Sequence, residues 1–202
     1  SKNNNSSFLV RTQDMLQDPL SYVNDPNTIT YIEFQMELPN GIPSWISMFQ
    51  NVEELVANEV DITTIPEEVF DLKRLEVLDV SRNPIESLPD SIKKLTTLRV
   101  LDITRTQIRH LPEGMFNYLP QLYHFEALHT PLEQINSDIL NSNLRRFFIS
   151  NEDTINLNFS MHDISNAVLK PNPDRDFRLH PNLVYKFTNI LNSRSSSQLR
   201  RF

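Results

Sequence analysis

The residues best suited to chemistry are few and scattered. The chain has five histidines, none with zinc-site spacing: His110, His124, His129, His162 and His180. His124 and His129 are expected on the same surface as Glu126, but a metal site needs converging ligands held by a supporting shell. The sequence therefore predicts ordinary surface histidines and no bound metal.

Other reactive residue types are also poorly represented. The chain has no cysteine, which excludes thiolate metal ligands, disulfides and a cysteine nucleophile. Two glycines are too few for a phosphate-binding loop, and no motif places a nucleophile beside a base. We expect no cofactor and no enzymatic activity.

Length and charge narrow the class of protein further. A chain of 202 residues can form one domain with a sizeable core. Its net charge of −7 argues against a nucleic-acid groove and against general binding to anionic membranes. No apolar run approaches the ~18 residues that a membrane-spanning helix needs. The composition favours a partner other than nucleic acid or lipid.

A repeated apolar pattern is the element that must position any functional side chain. Residues 75–97 carry it at Leu75, Leu78, Val80, Ile85, Leu88, Ile92 and Leu95, and it restarts 23 residues later at Leu98. Successive units begin at Ile29, Val52, Leu75, Leu98, Leu122 and Leu144. A fixed period of this size indicates units that stack because none can bury its own apolar side.

Residues 75–97 resemble the 23-residue subclass of leucine-rich repeats, written L-x-x-L-x-L-x-x-N-x-L-x-x-L-P-x-x-I-x-x-L-x-x. The resemblance covers about residues 29–157. Only one unit has the asparagine, Asn83; the others have Glu37, Val60, Thr106, Thr130 and Glu152. That asparagine normally satisfies buried backbone groups. Threonine replaces it in part and valine cannot, so backbone or water must compensate.

The resemblance implies an α/β fold, a curved, right-handed leucine-rich repeat solenoid with a parallel inner sheet and short helices or turns outside. We predict a disordered lead over residues 1–7 and, within residues 1–28, an N-terminal helical cap from the near-helical spacing between Phe8 and Leu20. Five full repeats and one partial repeat then occupy 29–157. A helical C-terminal cap over 158–191 and a polar, basic tail over 192–202 complete the chain.

Strand alternation predicts which side chains line the inner, concave face. One column has four acidic members of six: Glu33, Val56, Asp79, Asp102, Glu126 and Phe148. Beside it lie Tyr31, Glu54, Val77, Val100, His124 and Arg146, with Leu128 and a basic stripe of Arg82 and Arg105 beyond. Apolar anchors among polar groups suit an interface, so we predict that these residues bind a partner. The alternative is that charges merely keep solvated strands soluble and unpaired.

We therefore predict a non-enzymatic module, expected to be a monomer, that binds a protein on its concave face. The resemblance implies two settings: cytoplasmic scaffolds that bind small GTPases or phosphatases, and bacterial effectors that act on host signalling proteins. The lack of disulfide caps and the irregular repeats favour the cytoplasm, or the host cytosol for an effector. An alternative is the substrate-targeting arm of a larger enzyme whose catalytic domain is absent.

Overall fold

Nine short strands follow the repeat in the computed structural model, which describes residues 6–150 and 155–158. They are β1 (Ser7–Val10), β2 (Tyr31–Phe34), β3 (Glu54–Val56), β4 (Val77–Asp79), β5 (Val100–Asp102), β6 (His124–Ala127), β7 (Gln134–Asn136), β8 (Arg146–Ile149) and β9 (Asn156–Asn158). Seven form a parallel sheet in the order β1-β2-β3-β4-β5-β6-β8, and β7 pairs with β9 separately. Each unit therefore lies beside the unit that precedes it in sequence.

The predicted stacking of equivalent apolar residues is confirmed. Leu55 pairs with Leu78, Leu78 with Leu101, and Leu101 with Phe125 on neighbouring parallel strands. All four side chains are completely buried. Parallel strands lie ~4.8 Å apart, so each side chain covers the next and the core runs the length of the sheet.

The segments that return from one strand to the next form short helices, as predicted. They include α-helices α2 (Glu67–Phe70) and α3 (Met115–Tyr118) and 3-10 helices over Ser44–Met48, Asp90–Lys94 and Ser137–Asn141. Pro66 and Pro89 stand immediately before two of them, both with φ of −71°, where a missing N–H costs nothing. Val69 and Ile92 on these helices are fully buried. The helices therefore close the side of the core opposite the sheet.

Asn83 compensates for the valine that replaces asparagine in the preceding unit. Its Oδ1 accepts hydrogen bonds from the backbone N–H groups of Val60, at 3.0 Å, and Ile62, at 3.2 Å. Its Nδ2 donates to the carbonyls of Ala57, at 2.7 Å, and Val80, at 2.9 Å. One buried side chain thus satisfies backbone groups in two adjacent turns.

The predicted helix over Phe8–Leu20 is wrong for its first part. Residues 7–10 form β1, and only Gln13–Gln17 form an α-helix, α1. Phe8 and Val10 point into the core and pair with Ile32 and Phe34 of β2, so a strand covers the edge of the first repeat. Ser7, which we expected in a disordered lead, begins this strand; the remainder of that expected lead, residues 1–5, lies outside the described residues.

The second, two-stranded sheet was not predicted. Gln134, Ile135 and Asn136 of β7 pair with residues 156–158 of β9. Earlier units have proline where Asn136 stands, and proline has no N–H to donate between strands. Extended pairing outside the main sheet is therefore available where proline is missing. Residue 158, expected in the C-terminal cap, belongs to β9, and the rest of that cap and the tail, residues 159–202, lie outside the described residues.

Candidate functional site

The strand face, meaning the outward side chains of the seven-stranded sheet and of the turns that follow its strands, holds every predicted partner-binding residue. Eleven of them are half-buried: Tyr31, Glu33, Val56, Val77, Asp79, Val100, Asp102, His124, Glu126, Leu128 and Phe148. The other four are exposed: Glu54, Arg82, Arg105 and Arg146. The strand register aligns twelve of them as the two predicted columns, from Tyr31 to Arg146 and from Glu33 to Phe148, and the other three follow the strands.

Three carboxylates on adjacent strands form an acidic patch, defined here as Asp79, Asp102 and Glu126. Asp79 pairs with Asp102 across β4 and β5, and Asp102 with Glu126 across β5 and β6. The Ser81 backbone N–H donates to Asp79 Oδ1 at 3.0 Å, and that of Thr104 donates to Asp102 Oδ1 at 2.9 Å. These local bonds fix the two aspartates, so the patch is preformed and not assembled from mobile side chains.

The middle carboxylate of the patch, Asp102, has a perturbed ionisation. Burial raises the pKa of Asp102, and the negative charges of Asp79 and Glu126 raise this pKa further, while the hydrogen bonds from Thr104 oppose the increase. A raised pKa means that the negative charge at Asp102 is held at a cost in free energy. A cation placed against the patch would relieve that cost.

Exposed arginines border the patch at the ends of β4 and β5. Arg82 and Arg105 occupy equivalent turn positions with φ values of 57° and 56°, and Glu59 and His129 have the same left-handed backbone in their units. Within the described residues, neither arginine lies within ion-pair distance of a carboxylate. The repeated turn therefore presents two unpaired guanidinium groups in register beside the three acids.

The C-terminal side of the strand face is an aromatic and charged cluster. His124 Nε2 lies 2.7 Å from Glu126 Oε1, and the ring centres of His124 and Phe148 are 5.5 Å apart. Only 16% of the His124 side chain is exposed. His124 is thus more enclosed than the predicted surface histidine, whereas His129 is exposed as predicted.

The N-terminal end of the strand face was not predicted from the sequence. Ser7 and Leu9 of β1 extend the two columns beyond Tyr31 and Glu33, and Arg11 Nε donates to Gln35 Oε1 at 2.7 Å. Phe8 and Val10 stand 24 residues before Ile32 and Phe34, so one more backward step of the repeat would have predicted β1. Burial raises the pKa of Tyr31, and the nearby carboxylates of Glu33, Glu54 and Asp79 add to this.

The described residues offer little support for other kinds of site. No group of three or more histidine, aspartate or glutamate side chains converges in them as metal ligands would. His110 approaches Glu133 at 3.4 Å, an exposed pair without a third ligand. None of the helices described is long and apolar enough to cross a bilayer.

Comparison with known proteins agrees with this architecture. A family model described as leucine rich repeat matches residues 50–108 and 73–132. A sequence search of curated proteins finds no match. The register of the strands, the continuous core and the family match show that the matched residues form leucine-rich repeats.

Solved structures resemble the fold at low sequence identity. An internalin (inlF) from Listeria monocytogenes is 18% identical, with a TM-score of 0.60 over 85% of this chain and 46% of that one. An internalin C2 (inlC2) from the same species is 20% identical, with a TM-score of 0.60 over 80% of this chain and 65% of that one. The plant peptide hormone receptor RGFR1, solved in complex with RGF2, is 19% identical, with a TM-score of 0.50 over 75% of this chain and 22% of that one. This chain thus spans less than two thirds of each internalin. These likenesses show the fold, and the leucine rich repeats that the family model matches support a protein-interaction module.

Proposed function

We propose that this protein binds a peptide or protein segment across its strand face, and that the acidic patch and its neighbours select a segment carrying basic and apolar side chains. The main support is a pattern that two adjacent units share. In β4 and its turn the pattern consists of Val77, Asp79 and Arg82, with the buried Ser81 between the last two. The next unit repeats the order as Val100, Asp102, Thr104 and Arg105.

The repeated order gives the strand face a fixed chemical direction. A partner would meet an apolar row, then the acids, then the arginines, because Ser81 and the hydroxyl oxygen of Thr104 are buried between them. Lysine or arginine on the partner would neutralise the carboxylates, while aliphatic groups would cover Val77 and Val100. An acidic group on the partner would pair with Arg82 or Arg105 and fix its orientation.

The apolar residues of the strand face are half-buried, which supports a role in binding a partner more than a role as an ordinary solvent-exposed sheet surface. Val77, Val100, Leu128 and Phe148 keep part of their surface in water although they are surrounded by polar groups. Covering such surface contributes roughly 25 cal/mol per Å², so even a short segment would gain from docking there. The more specific functional predictions remain predictions: an effector role, a cytoplasmic location, and a small GTPase or phosphatase as the partner.

Selection from a displayed library of random peptides tests the proposal with a defined reagent. We expect the wild-type chain to enrich peptides that carry lysine or arginine beside aliphatic or aromatic residues. The variant Asp79→Asn, Asp102→Asn, Glu126→Gln removes three charges and keeps the carbonyl acceptors that bond Ser81 and Thr104. Its affinity for the enriched peptides should fall at least about tenfold.

The matched control places the same charge change on the side opposite the strand face, as Glu67→Gln and Asp90→Asn on two of the short helices and Glu113→Gln in the turn before α3. It should retain wild-type affinity to within about twofold, since charges there are distant and screened by salt. Failure to enrich any peptide family, or equal losses in the two triple variants, would refute selection by the acidic patch.

A further inference from the structure

A second candidate site lies in the row of residues immediately before the strands. Glu53, Glu76, Arg99, Tyr123 and Arg145 occupy this position in successive units. Backbone hydrogen bonds connect them: the N–H of Arg99 donates to the Glu76 carbonyl at 2.7 Å, that of Tyr123 to Arg99 at 3.0 Å, and that of Arg145 to Tyr123 at 2.8 Å. The row therefore changes from acidic to basic between the unit of Glu76 and the unit of Arg99.

The basic part of the row borders a cleft of about 510 Å³, here called the edge cleft, lined by Arg99, Pro120, Gln121, Tyr123, Asn143 and Arg145. Asn143 Nδ2 donates to the Pro120 carbonyl at 2.8 Å, which ties two neighbouring return segments together at its wall. The Arg99 guanidinium lies 5.3 Å from the centre of the Tyr123 ring. An aromatic ring thus separates two arginines that stand two strands apart.

We propose that the edge cleft binds a phosphate monoester carried by a side chain of a partner protein. Two guanidinium groups offer planar, paired N–H donors that match the oxygens of a phosphate. Strands lie ~4.8 Å apart, so Arg99 and Arg145 begin roughly 10 Å apart and can reach one anion from both sides of Tyr123. The ring supplies an apolar surface for the carbon atoms next to the phosphate.

Glu76, the ion-pair partner of Arg99, binds the arginine too weakly to prevent it from binding another anion. Arg99 Nη1 lies 3.9 Å from Glu76 Oε1, and both side chains are substantially exposed, at 55% and 40%. Exposed pairs of this kind are weak, because water and salt screen them. A doubly charged phosphate would displace Glu76, and Glu76 would act as a competitor that weakens binding.

Titration with phenyl phosphate, followed by NMR at the arginine Nε–H groups and the Tyr123 ring, tests this site. We expect saturable shifts at Arg99, Tyr123 and Arg145. Binding should weaken at least about tenfold in the double variant Arg99→Ala, Arg145→Ala. The variant Arg99→Lys, Arg145→Lys keeps the charge and should also bind more weakly, because lysine cannot form paired bonds to the oxygens. Methyl phosphate should bind, and benzoate should bind less tightly than phenyl phosphate because it carries one charge.

Two further variants separate a specific site from general attraction to positive charge. Lys94→Gln with Arg109→Gln removes the same charge from exposed residues that neither line the edge cleft nor belong to the strand face, and it should leave the affinity within about twofold of wild type. Glu76→Gln should tighten binding about twofold at low salt. Absence of saturable shifts, an equal loss of affinity in Arg99→Ala, Arg145→Ala and in Lys94→Gln, Arg109→Gln, or equal affinity for benzoate and phenyl phosphate would overturn the assignment. These probes do not involve the acidic patch, so this site and the proposed peptide-binding face can fail separately.

Discussion

Asn83 offers the sharpest test of how adjacent repeats are joined. The side chain is 2% exposed, and Asn83→Ala would leave the N–H groups of Val60 and Ile62 without their acceptor. The carbonyls of Ala57 and Val80 would each lose a donor. A buried unpaired polar group costs about 1–3 kcal/mol, and carbonyls with a second lone pair lose less. We expect Asn83→Ala to lower the free energy of unfolding by roughly 3 kcal/mol, mostly from the two N–H groups.

A threonine at the same position should restore only part of this loss. Thr106, at the equivalent place in the next unit, donates its hydroxyl to the Ile103 carbonyl at 2.8 Å. Asn83→Thr can form the matching bond to Val80 but cannot reach both N–H groups of the previous turn. We expect a loss of about 2 kcal/mol for Asn83→Thr, between wild type and Asn83→Ala. The control Thr106→Val removes one hydroxyl and should cost about 1 kcal/mol.

Urea unfolding followed by two probes measures these differences. Far-UV circular dichroism reports on all units, whereas the fluorescence of Trp45, the only tryptophan, reports on the N-terminal units. If Asn83 couples the units, the two transitions should separate in Asn83→Ala, because nearest-neighbour contacts hold the stack together. A loss below about 1 kcal/mol in Asn83→Ala, with coincident transitions, would refute the reasoning.

Two other predictions concern ionisation and the N-terminal strand. The pKa of Asp102 is raised from 3.8, so its charge costs free energy at neutral pH, and Asp102→Asn should be more stable than wild type at pH 7. The pKa of Asp102 is higher in the folded state than in the unfolded chain, so the stability advantage of Asp102→Asn should disappear as the pH falls below 3.8. Thermal melts that show the same difference in stability at pH 7 and below pH 3.8 would contradict this prediction. Trp45 Nε1 donates to the Leu16 carbonyl at 2.7 Å, and its ring packs on Phe8 at 5.9 Å. Trp45→Phe keeps most of the packing and should cost about 1 kcal/mol, seen as faster hydrogen exchange in Ser7–Val10; unchanged exchange there would show that Trp45 does not hold β1.

The repeat made most of the fold predictable from sequence. Because units stack on their neighbours, the positions of Leu55, Leu78 and Leu101 in the sequence determine their alignment in space. The same alignment predicted which side chains share each column of the strand face. Periodicity alone did not predict that Asn83 would serve the preceding unit as well as its own, since that depends on the reach of one side chain.

The N-terminal strand was harder to predict because it is short. Four residues of alternating burial, Ser7–Val10, are too few to distinguish a strand from a helical face when Met15 and Leu16 follow at helical spacing. The edge cleft was missed for another reason. Its arginines belong to different units, and their common role depends on a wall formed by the return segments at Pro120 and Asn143, which has no signature in the strand pattern.

Differences in length between units are absorbed outside the main sheet. The extra residue of the 24-residue unit falls between the buried Met115 and Leu119, four positions apart where Ile92 and Leu95 are three. The pairing of β5 with β6 is nevertheless as regular as that of its neighbours. Insertions and deletions on the helical side can therefore accumulate during evolution without shifting a recognition residue from its column, which leaves specificity to change one side chain at a time.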